Sequence, residues 1–408
     1  MRILNVTETY APFLEFGGPP VKVRALAEGL AAHENQVTVL TADWGIKKRH
    51  SAEEASGTER TPFGWSRVEK GVRAMYLPTW FRYRSLSWNP AVHRFCEKEL
   101  ETFDVVHVFG LYDFLGPAVA RACVKRKIPY VLEPIGMFVP IVRNLRLKRI
   151  YHSLYGRQMI EQASALIATS AQEVEELAAG GVPREKVVLR RNGVETPASW
   201  PERGTFRQGL GIGKGAKVIL FLGRLSEKKS PEMLLQAFAS LAATSGEMSM
   251  HLVFAGPDEG GMKTRLTEKA AQLGVGSQVQ FTGAIFGETK WAAYRGADVF
   301  VLPSQNENFG NTAAESVAAG IPVVVTEQCG IAPLLENVAG LVVPHDTEAL
   351  ARAIGEVIGD PALHARLANG CSTVTARLGW EEPVREMEAL YNRLANNLAP
   401  SAKFEAPE

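Results

Sequence analysis

Short apolar runs alternate along this chain with stretches whose apolar positions recur every third or fourth residue, a strand pattern and a helix pattern respectively. Arg2–Thr7, Gln36–Thr41, Val72–Tyr76, Asp104–Val108, Pro129–Leu132, Ala165–Ala168 and Val187–Leu189 read as strands. Helical patterns at Val21–Ala32 and about Gly116–Lys125 fall between them. Residues 44–71 are polar and charged and read as a long mobile excursion. From Asn192 to Thr205, Pro, Gly and polar residues cluster as in a domain linker. The alternation then restarts, with strands expected at Lys217–Leu222, Met250–Ala255, Val279–Thr282, Asp298–Leu302 and Pro322–Val325. Helices are expected at Pro231–Leu241, Met262–Leu273, Glu288–Arg295, Thr312–Ala319 and Glu348–Ile358, then near residues 362–367 and 383–395. The polar last dozen residues read as disordered.

Strand and helix alternating twice about a linker predict an α/β protein of two doubly wound, Rossmann-like domains. The boundaries read as residues 1–195 and 206–378, followed by a terminal helix at 379–396. A chain of 408 residues is too long for one ordinary core. Such sheets bind ligands beyond the carboxyl ends of their strands, and two of them facing each other are expected to form a deep cleft. Functional residues are therefore sought just after strands.

Composition narrows the class. Hydrophobic residues make up 46% and charged residues 22%, as in globular proteins. No apolar run reaches the ~18 residues of a spanning helix, and an early acid argues against a signal peptide. Cys96, Cys123, Cys329 and Cys371 are far apart without CxxC spacing, which points to the reducing cytoplasm. The net charge of +1 conceals an asymmetry: residues 1–195 hold 27 Lys and Arg against 21 Asp and Glu, the remainder 18 against 23. A basic first half fits an anionic partner or membrane surface, although a bias of this size is common. The eight histidines are scattered, so no metal is expected. Neither a cofactor nor a nucleic-acid partner is expected.

The strand ends supply the candidates. Gly17-Gly18 precedes a helix, where backbone N–H groups approach a phosphate or a sugar, or simply turn tightly. Gly211 to Gly215 looks like a glycine fingerprint but precedes a strand, and reads as a turn. In GRLSEKKS, Arg224 and Lys229 lie between a strand and a helix N-terminus, a good place for a diphosphate or else a solvated pair. In PSQNENFGNTAAES, Glu307 falls in a loop. Glu315 is either a second working carboxylate or the capping-box partner of Thr312, three residues before it. Carboxylates here suit sugar and ribose hydroxyls. His107, near the end of DVVHV, serves either packing or chemistry. Glu133 is another strand-end acid.

These segments together resemble the retaining GT-B glycosyltransferases of glycosyltransferase family 4. LPSQNENFGNTAAESVAAGIPVV is similar to the family's E-x7-E region, and GRLSEKK to its diphosphate loop, with Ser230 where glycine is usual. AGPDE, VQFTG, RNGVE and DVVHV are further family-like segments. WEEPVREMEALY resembles the helix that returns to the first domain.

The resemblance implies transfer of a sugar from a nucleotide-diphosphate sugar to an acceptor hydroxyl with retention, without a metal. Arg224 and Lys229, in the loop that opens at Gly223, would neutralise the leaving diphosphate. Glu307 and the main chain of Asn308, Phe309, Gly310, Asn311 and Thr312 would hold the donor sugar. Glu315 would hold the ribose, and Gly17-Gly18 would close over the donor. His107 is the remaining catalytic candidate. One departure stands out: Ile135, in LEPIGMF, occupies the position of the family's usual His. The main chain at Ile135-Gly136 would then do the positioning, with Glu133 or His107 as alternative polar groups. Arg143 joins Glu133, Ile135 and Gly136 as an acceptor-side candidate. Basic residues between 134 and 160, and the aromatic, cationic Trp80–Trp88 segment, fit either a solvated face or an anionic membrane and a lipid-linked or oligosaccharide acceptor. Two other functions stay open: a nucleotide-sugar isomerase or epimerase, and a non-catalytic nucleotide-sugar binder.

Overall fold

The computed structural model describes residues 1–14, 17–44, 57–83, 86–138, 150–244, 246 and 248–396. The chain divides into two compact units. One comprises Met1–Arg191 and the residues from Trp380 onward; the other is Asn192–Gly379.

In the first unit, strands β1 (Arg2–Thr7), β2 (Gln36–Ala42), β3 (Thr58–Thr61), β4 (Gly64–Glu69), β5 (Val72–Leu77), β6 (Phe81–Tyr83), β7 (Leu86–Trp88), β8 (Val105–Phe109), β9 (Tyr130–Glu133), β10 (Ala165–Ala168) and β11 (Val187–Leu189) succeed one another. Nine of them form a sheet in the order β11-β10-β9-β8-β1-β2-β5-β4-β3, and β6 pairs with β7 in a separate hairpin. Central β1 runs parallel to both neighbours, with Ile3 opposite Val37 and Val105. All its residues after Arg2 are buried, as expected of a strand covered on both faces.

The excursion expected at residues 44–71 is corrected in its second half. Residues 45–56 lie outside the described residues, but β3 and β4 extend the sheet as an antiparallel pair. These edge strands are polar and half exposed, so they carry no apolar run to mark them. Helix Glu381–Asn396 packs on this unit through Val384, Met387, Leu390 and Tyr391. Gly29 makes room for it: a Cβ there would lie 2.5 Å from Val384 Cγ2. Asn35 Nδ2 donates to Glu388 of the same helix at 2.7 Å.

The second unit contains β12 (Lys217–Leu222), β13 (Met250–Ala255), β14 (Val279–Gly283), β15 (Val299–Leu302), β16 (Val323–Thr326) and β17 (Gly340–Val343). They form one parallel sheet in the order β14-β13-β12-β15-β16-β17. The side chains of β12 alternate between two cores, Val218, Leu220 and Leu222 on one face, Ile219 and Phe221 on the other. Strand β17 was not foreseen; it is four residues long and begins with glycine. Among the described residues no helix is long and apolar enough to cross a membrane. No group of three His, Cys, Asp or Glu among them is placed to hold a metal ion, and all four cysteines are buried and free.

Candidate active site

Neighbouring parallel strands β12 and β15 end side by side, so the loops that follow them meet. The Gln305 N–H donates to the Lys228 carbonyl at 2.9 Å and ties the two loops together. Glu307 is clamped from the other side: its N–H donates to the Gln328 carbonyl, and its own carbonyl accepts from Gly330, both at 2.9 Å. Its carboxylate is thereby aimed at Lys229, whose ammonium donates to Glu307 Oε2. Burial draws the Lys229 ammonium down to about 8; Arg224 and Lys228 add to the effect, and Cys329 opposes it. Arg224 remains 68% exposed in its side chain, loosely paired with Glu259 at 3.8 Å. Of these two cations, Lys229 is sheltered and Arg224 accessible. Close approach of the β12 and β13 ends requires glycine: a Cβ on Gly256 would lie 1.8 Å from the Gly223 carbonyl oxygen.

Helix Asn311–Ala318 begins at the same edge. Its N-cap is Gly310, at φ +101°, and no side chain caps it. A Cβ at Gly310 would also meet Ile331 Cγ2 at 2.9 Å, so the residue must be glycine on both counts. The uncapped N–H groups and the helix dipole make this edge attractive to an anion or a polar oxygen. Asn192 Nδ2 donates to Asn311 Oδ1 at 3.1 Å, fixing the first residue of the helix.

The capping-box reading of Glu315 is overturned. Thr312 lies inside the helix, Gly310 is the cap, and the Glu315 carboxylate turns elsewhere. It accepts from Lys290 Nζ at 2.7 Å and from the Tyr294 hydroxyl at 2.8 Å. Glu307, in the loop after β15, and Glu315, on the helix that follows that loop, are thus each bound to a lysine.

Over residues 202–371 the chain matches the family described as "Glycosyl transferases group 1", and over residues 17–193 the "Glycosyl transferase 4-like domain". The chain belongs to the group 1 glycosyltransferases, with the GT-B fold. An uncharacterized glycosyltransferase of Methanocaldococcus jannaschii is 26% identical over 407 residues, covering 96% of this chain and 98% of that one. A D-inositol 3-phosphate glycosyltransferase of Catenulispora acidiphila is 34% identical over 308 residues, 71% of this chain and 72% of that one. Among solved structures, the sucrose-phosphate synthase of Thermosynechococcus elongatus superposes with a TM-score of 0.75 at 21% identity, covering 97% and 99% of the two chains. Anabaena HepE in complex with UDP-glucose gives 0.73 at 18% identity, covering 96% and 100%. The comparisons favour neither the epimerase nor the binder alternative.

In the first unit of this glycosyltransferase the candidates separate. Gly17 caps helix Gly18–Ala32 at φ +106°, and Pro19 and Pro20 stiffen the helix's first turn. His107, left open between packing and chemistry, and the acceptor-side candidate Glu133 both lie in the core, without exposed surface. The His107 ring is wholly buried, stacked on Phe109 with centroids 3.8 Å apart, and its Nδ1 lies 2.6 Å from the Tyr391 hydroxyl. Burial lowers its pKa to about 3, so the ring is neutral. Glu133 is equally buried and binds Lys22 and Arg190. Ile135 and Gly136 form a turn with φ of +56° and +64°. A β-branched residue is strained in that region. The Gly136 N–H donates to buried Glu173 Oε1 at 2.9 Å, and Glu173 Oε2 accepts from the Thr169 N–H at 2.7 Å. Arg143 lies outside the described residues.

Sequence reading missed Lys290, Tyr294, Asn192, Glu173 and Arg190. Lys290 and Tyr294 are spaced by four on a helix predicted from its apolar pattern. That spacing shows that they share a face, but not that the face meets Glu315. Asn192 sits in the RNGVE segment, where only the resemblance offered a hint, and Arg190 directly precedes that segment.

Proposed function

We propose that this glycosyltransferase takes its sugar from a nucleoside-diphosphate sugar and delivers it, with retention at the anomeric carbon, to a hydroxyl of a lipid-linked or oligosaccharide acceptor in cell-surface glycan synthesis. The observation that carries the donor half is the Lys229–Glu307 ion pair across the loops that follow β12 and β15, with Arg224 in the first loop and, after the second, an uncapped helix that carries Glu315. Diphosphate needs fixed cations and N–H donors; sugar and ribose need carboxylate acceptors. A leaving diphosphate stabilised by preorganised cations and a helix terminus does not call for a metal. The HepE structure with UDP-glucose supports a nucleotide-sugar donor.

Retention rests on the family resemblance. Membrane contact rests on the β6–β7 region, where Trp80, Phe81 and Trp88 are 78, 64 and 45% exposed. Aromatic side chains beside cations suit a bilayer interface, and a peripheral position at the inner face of the membrane follows from that reading.

The test is to incubate the enzyme with UDP-, GDP- and ADP-sugars and with oligosaccharide and lipid-linked acceptors, then assign the product's anomeric configuration by NMR. A product with the donor's configuration supports the proposal. Inversion, or nucleotide-sugar conversion without an acceptor, would refute it.

A further inference from the structure

Lys290 and Tyr294 stand one turn apart on helix Gly287–Gly296 and project from one face. Each donates to a different oxygen of Glu315, Lys290 to Oε1 at 2.7 Å and Tyr294 to Oε2 at 2.8 Å. The phenol is set by the core: Tyr294 is fully buried, with its ring centroid 5.8 Å from that of Trp291 and 5.6 Å from that of Phe300. The ammonium is steadied by the Trp291 ring, whose centroid lies 4.8 Å from Nζ. Lys290 and Glu315 keep 23 and 18% exposure in their side chains, so the carboxylate is open beside its lysine.

One donor on each oxygen fixes the plane of the carboxylate. An ionised carboxylate has about four acceptor positions, so one on each oxygen is left. Two acceptor positions on neighbouring oxygens match two hydroxyls on neighbouring carbons.

We infer that Lys290 and Tyr294 are positioning residues that hold Glu315 as a two-oxygen acceptor for the adjacent hydroxyls of a ribose. This rests on the nucleoside-diphosphate reading above and sharpens it: the site selects ribonucleoside over deoxyribonucleoside diphosphates, and the selection depends on two residues outside the E-x7-E segment. Burial and the neighbouring Glu315 push the Tyr294 phenol well above its ordinary pKa, so it stays a donor at any working pH.

The test is a set of dissociation constants for UDP, GDP and ADP, their 2′-deoxy counterparts and inorganic pyrophosphate. The proteins are the wild type, Tyr294→Phe, Lys290→Met and Lys290→Arg, each checked for an intact thermal transition. The wild type should prefer the ribonucleotide about tenfold or more, the value of a hydrogen bond to a charged group. Tyr294→Phe and Lys290→Met should cut that preference severalfold and leave pyrophosphate affinity unchanged; Lys290→Arg should restore it. Should Lys290→Met fail to fold, Tyr294→Phe, which removes a single oxygen, still decides. A wild type that does not discriminate, or variants that keep its full preference, would overturn the inference while the nucleotide site stood. Binding of pyrophosphate but of no nucleotide would overturn both.

Discussion

Arg190 holds both carboxylate oxygens of Glu133 at 2.8 Å, and neither side chain has any exposed surface. Lys22, in the second turn of helix Gly18–Ala32, binds the same carboxylate. One buried acid therefore joins the end of β9, the residue following β11 and the helix that opens with Gly17-Gly18. Removing one member strands the others without a counter-charge, so Glu133→Ala should destabilise the protein by about 3–5 kcal/mol, read as a lowered denaturant midpoint.

The same carboxylate gives a pH dependence. Burial alone would push Glu133 up, but Arg190 and Lys22 outweigh it and hold the group at about 2, below its ordinary 4.5. A depressed acid stabilises the fold fully above its unfolded pKa, and that contribution is lost as pH falls from 4.5 towards 2. Acid unfolding followed by circular dichroism should show this loss, and Glu133→Gln should flatten the profile in that window.

Lys229 acts in the opposite range. Its free-state pKa of about 8 lies below the ordinary 10.5. The unfolded chain binds more protons between those values, so stability rises with pH across that window. Diphosphate binding needs the ammonium, so nucleoside-diphosphate affinity should be level below pH 8 and weaken above it. Lys229→Arg, which does not titrate there, should bind with a flat profile from pH 7 to 9.5. Titration calorimetry at several pH values checks both.

The exposed aromatics of β6 and β7 give a third expectation. The wild type should co-sediment with vesicles containing anionic lipid at low salt. Replacing Trp80 and Phe81 together with serine should weaken this severalfold without lowering the thermal midpoint, because both side chains stand in solvent. Equal sedimentation of both proteins would place the contact elsewhere.

The alternation of apolar runs revealed the parallel strands because they are buried on both faces and leave an unbroken signal, as in β12 and β15. β3 and β4 escaped because an edge pair open to solvent has no such run. The site was half legible. Arg224, Lys229, Glu307 and Glu315 sit at strand ends or one turn beyond, where chain position is itself a clue. What fixes them comes from distant segments: Lys290 and Tyr294 for Glu315, and the Gln328–Gly330 backbone for Glu307. His107 illustrates the converse. It occupies a strand end, yet helix Glu381–Asn396 covers it from almost three hundred residues away in sequence through Tyr391. The Thr312–Glu315 spacing suggested a cap because the pattern is local, but the helix begins with a glycine that a neighbouring isoleucine requires.

The central claim is that Glu315 grips a nucleotide at the ends of β12 and β15. The most direct measurement is the thermal midpoint of the wild type and of Glu315→Ala with UDP, GDP and ADP in turn, since a ligand that binds the native state raises the midpoint by mass action. One nucleoside diphosphate should raise the wild-type midpoint, and Glu315→Ala should lose most of that rise. No rise with any of the three, or an equal rise in both proteins, would contradict the account.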